Sequence, residues 1–294
     1  MAQAPRPAPT PEQRLFARRL RRLREDLAGM SLDSAAGGIG VSTATIRRIE
    51  GAEQSLDLDQ VEKLLVLYGV SGARLTEMKR TAQAAARPGW WHQKYHRVMP
   101  RDVQEWIGLE SAASLIRMWA PATIPDLLQT PEYARAVHRR QNPHAADSDL
   151  DLTVELLRQR QRRVAERGTR IWALMSAAAL HTKVGSASVM RDQLLALRGI
   201  LEQPLRTIQI VPLGSFPHPL TNAPPARLIR LGGGEADLGD YIVVDQITGT
   251  TIVTKPRESD TWRQAMDITC VQVPITLPGS SMRPSTLTPE LTDL

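Results

Sequence analysis

Apolar residues recur at three- and four-residue intervals along the first third of the chain, interrupted by short polar breaks. That is the pattern of amphipathic helices sharing one core. Phe16, Leu20, Leu23 and Leu27 mark the buried stripe of a first helix between Pro11 and Ala28, whose remaining surface carries arginines. Two shorter helices joined by a tight turn follow within LDSAAGGIGVSTATIRRIEG, residues 32–51. SLDLDQVEKLLVLYGV then supplies a cap at Ser55 or Asp57, a stripe at Val61, Leu64, Leu65 and Tyr68, and a stop at Gly69. A fifth helix is predicted over 71–86, so residues 11–86 read as an all-α five-helix bundle. Residues 1–10 are rich in Ala and Pro, lack helical periodicity and read as a flexible arm.

The pattern changes at Arg87-Pro88-Gly89, and the six tryptophans (90, 91, 106, 119, 172 and 262) all lie beyond it. Helices are predicted at 102–118, 131–140, 150–167, 186–202 and 259–267, and strands at 170–175, 207–213, 226–231, 240–246 and 250–255. This mixture predicts an α+β domain over 87–273. Gly232-Gly233-Gly234 lacks the Lys-Ser/Thr of a phosphate loop and reads as a hairpin turn between two strands. Residues 274–294, rich in Pro, Ser and Thr, read as a disordered tail.

Within the bundle, the helix after the tight turn is built to face outward. Ser42 stands at its N-cap, where the hydroxyl accepts an otherwise orphaned backbone N–H. Val41 and Ile46 have the spacing of a hydrophobic staple. At about 100° per residue, Ile46 and Ile49 share the inward face, Ala44, Arg47 and Arg48 point away from it, and Thr43 lies at the border. An outer face of small side chains and guanidiniums suits the major groove, where Arg bonds guanine bidentately and Thr or Ala touches a thymine methyl. The same pattern also fits a surface helix with two solvated arginines. The candidate DNA contacts are Ser42, Thr43, Ala44, Thr45, Arg47 and Arg48, with Arg18 and Arg22 of the first helix on phosphates. Gly37 and Gly38 each cost about 1 kcal/mol in a helix interior, which predicts a short or frayed second helix.

These residues resemble the lambda-repressor-like helix-turn-helix class (Cro/cI or XRE type), with Ala36 at the small-residue site, Gly40 at the turn and VSTATIRRIEG as the recognition helix. Leu32 stands where that class often has Gln. Beyond the bundle, WIGLESAASLIRMWAP (106–121), IPDLLQTPEYARA (124–136) and ALHTKVGSASVMRDQLLAL (179–197) resemble the antitoxin-like C-terminal domain of actinobacterial WhiJ-type regulators. Asp126 departs from the usual Gly of that pattern, and Ser176-Ala177 from its usual acidic pair. The resemblance implies a non-enzymatic transcriptional regulator of development or secondary metabolism acting on a double-stranded operator, and because one recognition helix reads only a few base pairs, a homodimer pairing two half-sites is expected. It also implies a small acidic companion protein bound by the C-terminal domain. An antitoxin that neutralises a partner and autoregulates its operon is the alternative.

Composition adds limits. There are 37 Lys+Arg against 31 Asp+Glu, a net charge of +6, compatible with a polyanionic partner. The surplus is local: helix 1 alone carries arginines 14, 18, 19, 21, 22 and 24. A second basic run, RQRQRRVAERGTR (158–170), reads as a solvated face or as a docking surface for an acidic partner through Arg160, Arg163 and Arg167. Cys270 is the single cysteine, which excludes an intrachain disulfide, fits a reducing cytoplasm and reads as a small core residue. No apolar run reaches the length needed to span a membrane. His92 and His96 have helical spacing but no third ligand or general-base Glu, and no Gly-x-Ser-x-Gly elbow is present. Neither a catalytic set nor a metal or cofactor site is expected.

Overall fold

Capping preferences start the first helix abruptly. Thr10 accepts the Gln13 N–H and Pro11 occupies the first helical position of α1 (Pro11–Arg22). A wider π turn at Leu23–Leu27 continues it. Phe16, Leu20 and Leu23 are buried as predicted, but Leu27 is 52 % exposed. The wide turn lags the α-helical phase, so Leu27 swings out of the buried stripe. Then come α2 (Leu32–Ile39), α3 (Thr43–Glu50), α4 (Leu58–Leu67) and α5 (Gly72–Ala85), which close one core around Ala35, Ile46, Ile49, Leu64, Leu65 and Tyr68. Asp57 caps α4 by accepting from Asp59 and Gln60, and Gly69 leaves the helix at φ 81°. Helix α2 is short, as predicted, yet helical through both glycines. A Cβ at Gly38 would stand 2.6 Å from Leu67 Cδ2, so its absence lets α2 lie close against α4.

The structure is a computed structural model that describes residues 9–214, 217–231, 240–253 and 255–273. Residues 1–8 of the arm expected over 1–10, the Gly232–Gly234 turn and the tail at 274–294 lie outside those residues, and Thr10 is a buried helix cap.

The second domain is built on a six-stranded mixed sheet in the order β3-β2-β1-β4-β5-β6. Its strands are β1 (Ala113–Ala120), β2 (Arg170–Ser176), β3 (Arg206–Val211), β4 (Ala226–Leu231), β5 (Asp240–Gln246) and β6 (Gly249–Val253). β1, β2 and β3 run parallel, with helices in the crossovers; β4, β5 and β6 continue antiparallel from β1. Helices α6 (Trp91–Lys94) and α7 (Arg101–Ser111) precede β1, and α8 (Pro131–Gln141) and α9 (Asp147–Glu166) cross from β1 to β2. α10 (Ala178–His181) and α11 (Ala187–Leu201) cross from β2 to β3, and α12 (Pro256–Gln272) closes the fold.

Alternation along the strands makes two cores. Ile116, Met118, Ala173, Ile229 and Val243 face one side, with Trp91, Trp106, Tyr133 and Leu156 from the helices. Trp119, Leu174, Leu228 and Ile242 face the other, beneath Met266 of α12. The helix predicted at 102–118 is therefore corrected: it ends at Ser111, and 113–120 form the central strand β1. Both faces of β1 are covered, so its residues form a near-continuous buried run without the alternation that marks a half-exposed strand.

Candidate nucleic-acid interface

Capping and turn chemistry position α3. Gly40 ends α2 in the left-handed region at φ 71°, and the Val41 N–H returns to the Ala36 carbonyl at 3.0 Å. Ser42 Oγ accepts the Thr45 N–H at 3.2 Å and lies 2.9 Å from Thr45 Oγ1. Thr43 Oγ1 donates to Asp33 Oδ1 at 2.7 Å, a cross-link between the first turns of α2 and α3. Ile46 and Ile49 are fully buried, whereas Ala44, Arg47 and Arg48 are exposed. Among the described residues neither arginine forms an ion pair, and Arg48 Nε donates to the Ala44 carbonyl at 3.2 Å. Ser42, Thr43 and Thr45 thus spend hydroxyl bonds on shaping the turn, and Arg47 and Arg48 carry the charge outward.

The far end of α3 rests on a buried ionic strut. Arg24 donates from Nε to Glu50 Oε1 at 2.8 Å and from Nη2 to Oε2 at 2.9 Å, a bidentate pair. Its Nη1 reaches the Met30 carbonyl at 2.8 Å, and the Tyr68 hydroxyl donates to Glu50 at 3.4 Å. Burial, helped by the Glu50 carboxylate, pushes the Tyr68 hydroxyl above its ordinary value. The strut ties the π turn, α3 and α4 together, so the exposed face of α3 is held from behind. Arg24 follows Leu20 by four residues, and that phase is the signal for an inward-turned arginine.

On α1, Arg14, Arg18 and Arg22 share the stripe opposite the core. Arg18 and Arg22 are exposed, but Arg14 is ion-paired with Glu105 of α7 and ties the two domains together. The stripe is therefore covered at its N-terminal end and open further along.

The basic run of the second domain is not one surface. Arg160 is 6 % exposed and cannot meet a docking partner, which corrects that expectation. It shares the apolar stripe of α9 with Leu156, Leu157 and Val164. Its guanidinium bonds both Glu110 oxygens at 2.7 Å and Asp126 Oδ2 at 2.8 Å. Arg227 of β4 also bonds Asp126, at 3.1 Å, and reaches Asp245 at 3.3 Å. The Trp106 ring packs against both guanidiniums, its centroid 4.6 Å from Arg160 and 4.2 Å from Arg227. Burial opposes the Asp126 charge, yet the two arginines outweigh it and hold the carboxyl well below the usual range. Asp126 is therefore a structural anion joining α9 to β4. Ser176 Oγ accepts the Ala178 N–H at 3.2 Å and Ala177 is buried. Arg163 lies over the Trp90 ring at 4.5 Å, and Arg167 is exposed.

The remaining candidates have local partners. His92 Nδ1 accepts the Gly89 N–H at 3.0 Å, and His96 Nδ1 lies 3.1 Å from the Gln93 carbonyl. Cys270 is half-buried beside Arg117, and burial pushes its thiol up. Among the described residues, no cluster of three or more His, Cys, Asp and Glu could hold a metal, and no helix is long and apolar enough to cross a membrane.

The family described as Helix-turn-helix domain matches residues 15–78, the segment that contains α2 to α4, most of α1 and the exposed face of α3. The family described as Domain of unknown function (DUF5753) matches residues 103–271, which contain the whole sheet. No curated protein and no solved structure matches the chain. The DUF5753 match covers more than half of the chain, which therefore belongs to that family and carries a helix-turn-helix domain ahead of it.

Proposed function

We propose that this chain is a sequence-specific DNA-binding transcriptional regulator of the XRE type that reads its operator with α3. The observation that carries the reading is the outer face of that helix. Arg47 and Arg48 are exposed and outside any ion pair among the described residues, on a helix whose inner face is buried and whose end is braced by Glu50. Arg47 is the residue for a guanine edge. Arg48, already bonded to the Ala44 carbonyl, is placed for a phosphate. Ala44 offers a small surface to a thymine methyl, Ser42, Thr43 and Thr45 lie at the groove-facing N-terminus, and Arg18 and Arg22 supply phosphate contacts from α1. One such helix reads only a few base pairs, so a homodimer spanning two half-sites about one helical turn apart supplies the affinity.

The DUF5753 domain is then the regulatory half, related to the antitoxin-like domain of WhiJ-type regulators. It provides the dimer contact or docks a small acidic companion protein. Arg163 and Arg167, with the exposed Arg158 and Arg162, are the part of the basic run accessible to such a partner. Selection of binding sites from a randomised duplex pool with the purified full-length chain tests the core of the reading. It is expected to recover a guanine-containing motif repeated with two-fold symmetry. Recovery of no motif, with retention of random duplex only, would overturn it.

A further inference from the structure

Behind the recognition helix, where the two domains meet, the chain forms a cleft of about 650 Å³, within the range of small-molecule sites. Its walls are the N-terminal turn of α1, the 51–56 loop that leaves α3, the 86–88 connection, and His92, Arg101 and Glu105 of the second domain. Three guanidiniums line it, those of Arg14, Arg87 and Arg101, against two carboxylates, Glu53 and Glu105, which leaves one positive charge in excess. Arg14 occupies Glu105 in an ion pair, yet its Nε is buried with no hydrogen-bond partner. Arg87 and Arg101 are exposed and form no ion pair among the described residues. A buried N–H without an acceptor is costly, which favours an oxygen acceptor beside Arg14 Nε.

The loop on the α3 side is itself unusual. Ala52 is buried and holds φ 56°, the left-handed region that a residue with a Cβ rarely adopts. It sits directly after Gly51, the residue that ends α3. The cleft is therefore in mechanical continuity with the recognition helix on one wall and with the DUF5753 domain on the other.

We propose that this cleft binds a small organic anion bearing a carboxylate or a phosphate, held by Arg87, Arg101 and Arg14 Nε. Guanidinium forks match the oxygen geometry of both groups. A ligand in this position bridges the 51–56 loop and the second domain, so it changes operator affinity. That second statement rests on the DNA-binding reading; the site itself does not. By linkage, operator DNA changes anion affinity by the same factor.

The experiment titrates citrate and inorganic phosphate into the full-length chain by calorimetry at matched ionic strength. Saturable binding of at least one anion is expected, weakened tenfold or more by Arg87→Ala/Arg101→Ala, two exposed positions whose truncation leaves the core intact. An Arg140→Ala/Arg198→Ala control, at two exposed positions away from the cleft, removes the same charge and should bind as the parent does. The absence of saturable heat with both anions, or equal weakening in the two double variants, would overturn the site. Operator affinity is then measured with and without the bound anion. A shift that disappears in Arg87→Ala/Arg101→Ala supports the coupling, and identical affinity overturns the coupling alone. Failure of the chain to discriminate any duplex would count against DNA reading and not against the cleft.

Discussion

Replacing Arg24 with Met isolates what holds the recognition helix in place. The substitution keeps the volume of the side-chain stem, removes the bidentate contact to Glu50 at 2.8 and 2.9 Å, and removes the bond to the Met30 carbonyl. Glu50, 9 % exposed, is left with only the long Tyr68 contact at 3.4 Å. Breaking one side of such a buried pair costs about 3–5 kcal/mol, against a total of roughly 5–15 kcal/mol for a small domain. At about 4–8 °C per kcal/mol for a domain of this size, the melting temperature of the helical domain falls by roughly 15 °C or more. Glu50→Leu should cost a similar amount. The Arg24→Met/Glu50→Leu pair should recover most of the loss, because well-packed apolar residues replace a buried ion pair at little net cost. Since every tryptophan lies beyond residue 86, tryptophan fluorescence follows the second domain while far-ultraviolet circular dichroism follows both. The single variants should separate the two transitions. Single substitutions costing less than about 1 kcal/mol, or strictly additive effects in the pair, would refute the strut.

Four other variants probe the remaining surfaces and cores. Arg18→Ala/Arg22→Ala should weaken binding to all duplexes alike and reduce the salt dependence by roughly one unit for each phosphate that the parent arginines neutralise, an effect read from isotherms at several salt concentrations. Arg160→Met, by stranding Glu110 and leaving Asp126 with Arg227 alone, should destabilise the second domain by about 3–5 kcal/mol in fluorescence-detected unfolding. Arg167→Ala, at an exposed position, should stay within about 0.5 kcal/mol. Burial lowers the His138 and His218 imidazoles. Each takes up a proton less readily in the folded chain than in the unfolded one, so stability is greatest above the ordinary pKa of about 6.5 and declines as the pH falls below it. His138→Gln/His218→Gln should flatten unfolding free energy between pH 7 and pH 5, and an unchanged slope would contradict that origin.

The helical domain is legible in the sequence because one face of each helix is buried and the other wet, so the 3.6-residue period survives in the letters. Leu27 departs from that period because nothing in its spacing signals a π turn. In the second domain, β2 to β6 carry β-branched or alternating residues between polar breaks. β1 does not: Ile116 and Met118 face one core and Trp119 the other, so burial on both sides erases the alternation, and no Gly or Pro separates it from α7. The outward arginines of α3 follow from helical phase alone. Arg160 stands inside a run of like charge that suggests a single surface, although its spacing from Leu156 and Val164 puts it on the apolar stripe. The ion network around Trp106 joins residues more than 100 positions apart and has no local signature.

The central claim, that the exposed face of α3 reads base sequence, is tested most directly by binding isotherms of the parent and Arg47→Ala on the selected operator and on its single-base-pair variants. A bidentate guanine contact predicts a loss of about 1–3 kcal/mol on the operator, with discrimination abolished at one base pair of each half-site and kept at the others. Uniform weakening on every duplex would reassign Arg47 to the phosphate backbone, and unchanged affinity throughout would contradict the placement of α3 in the groove.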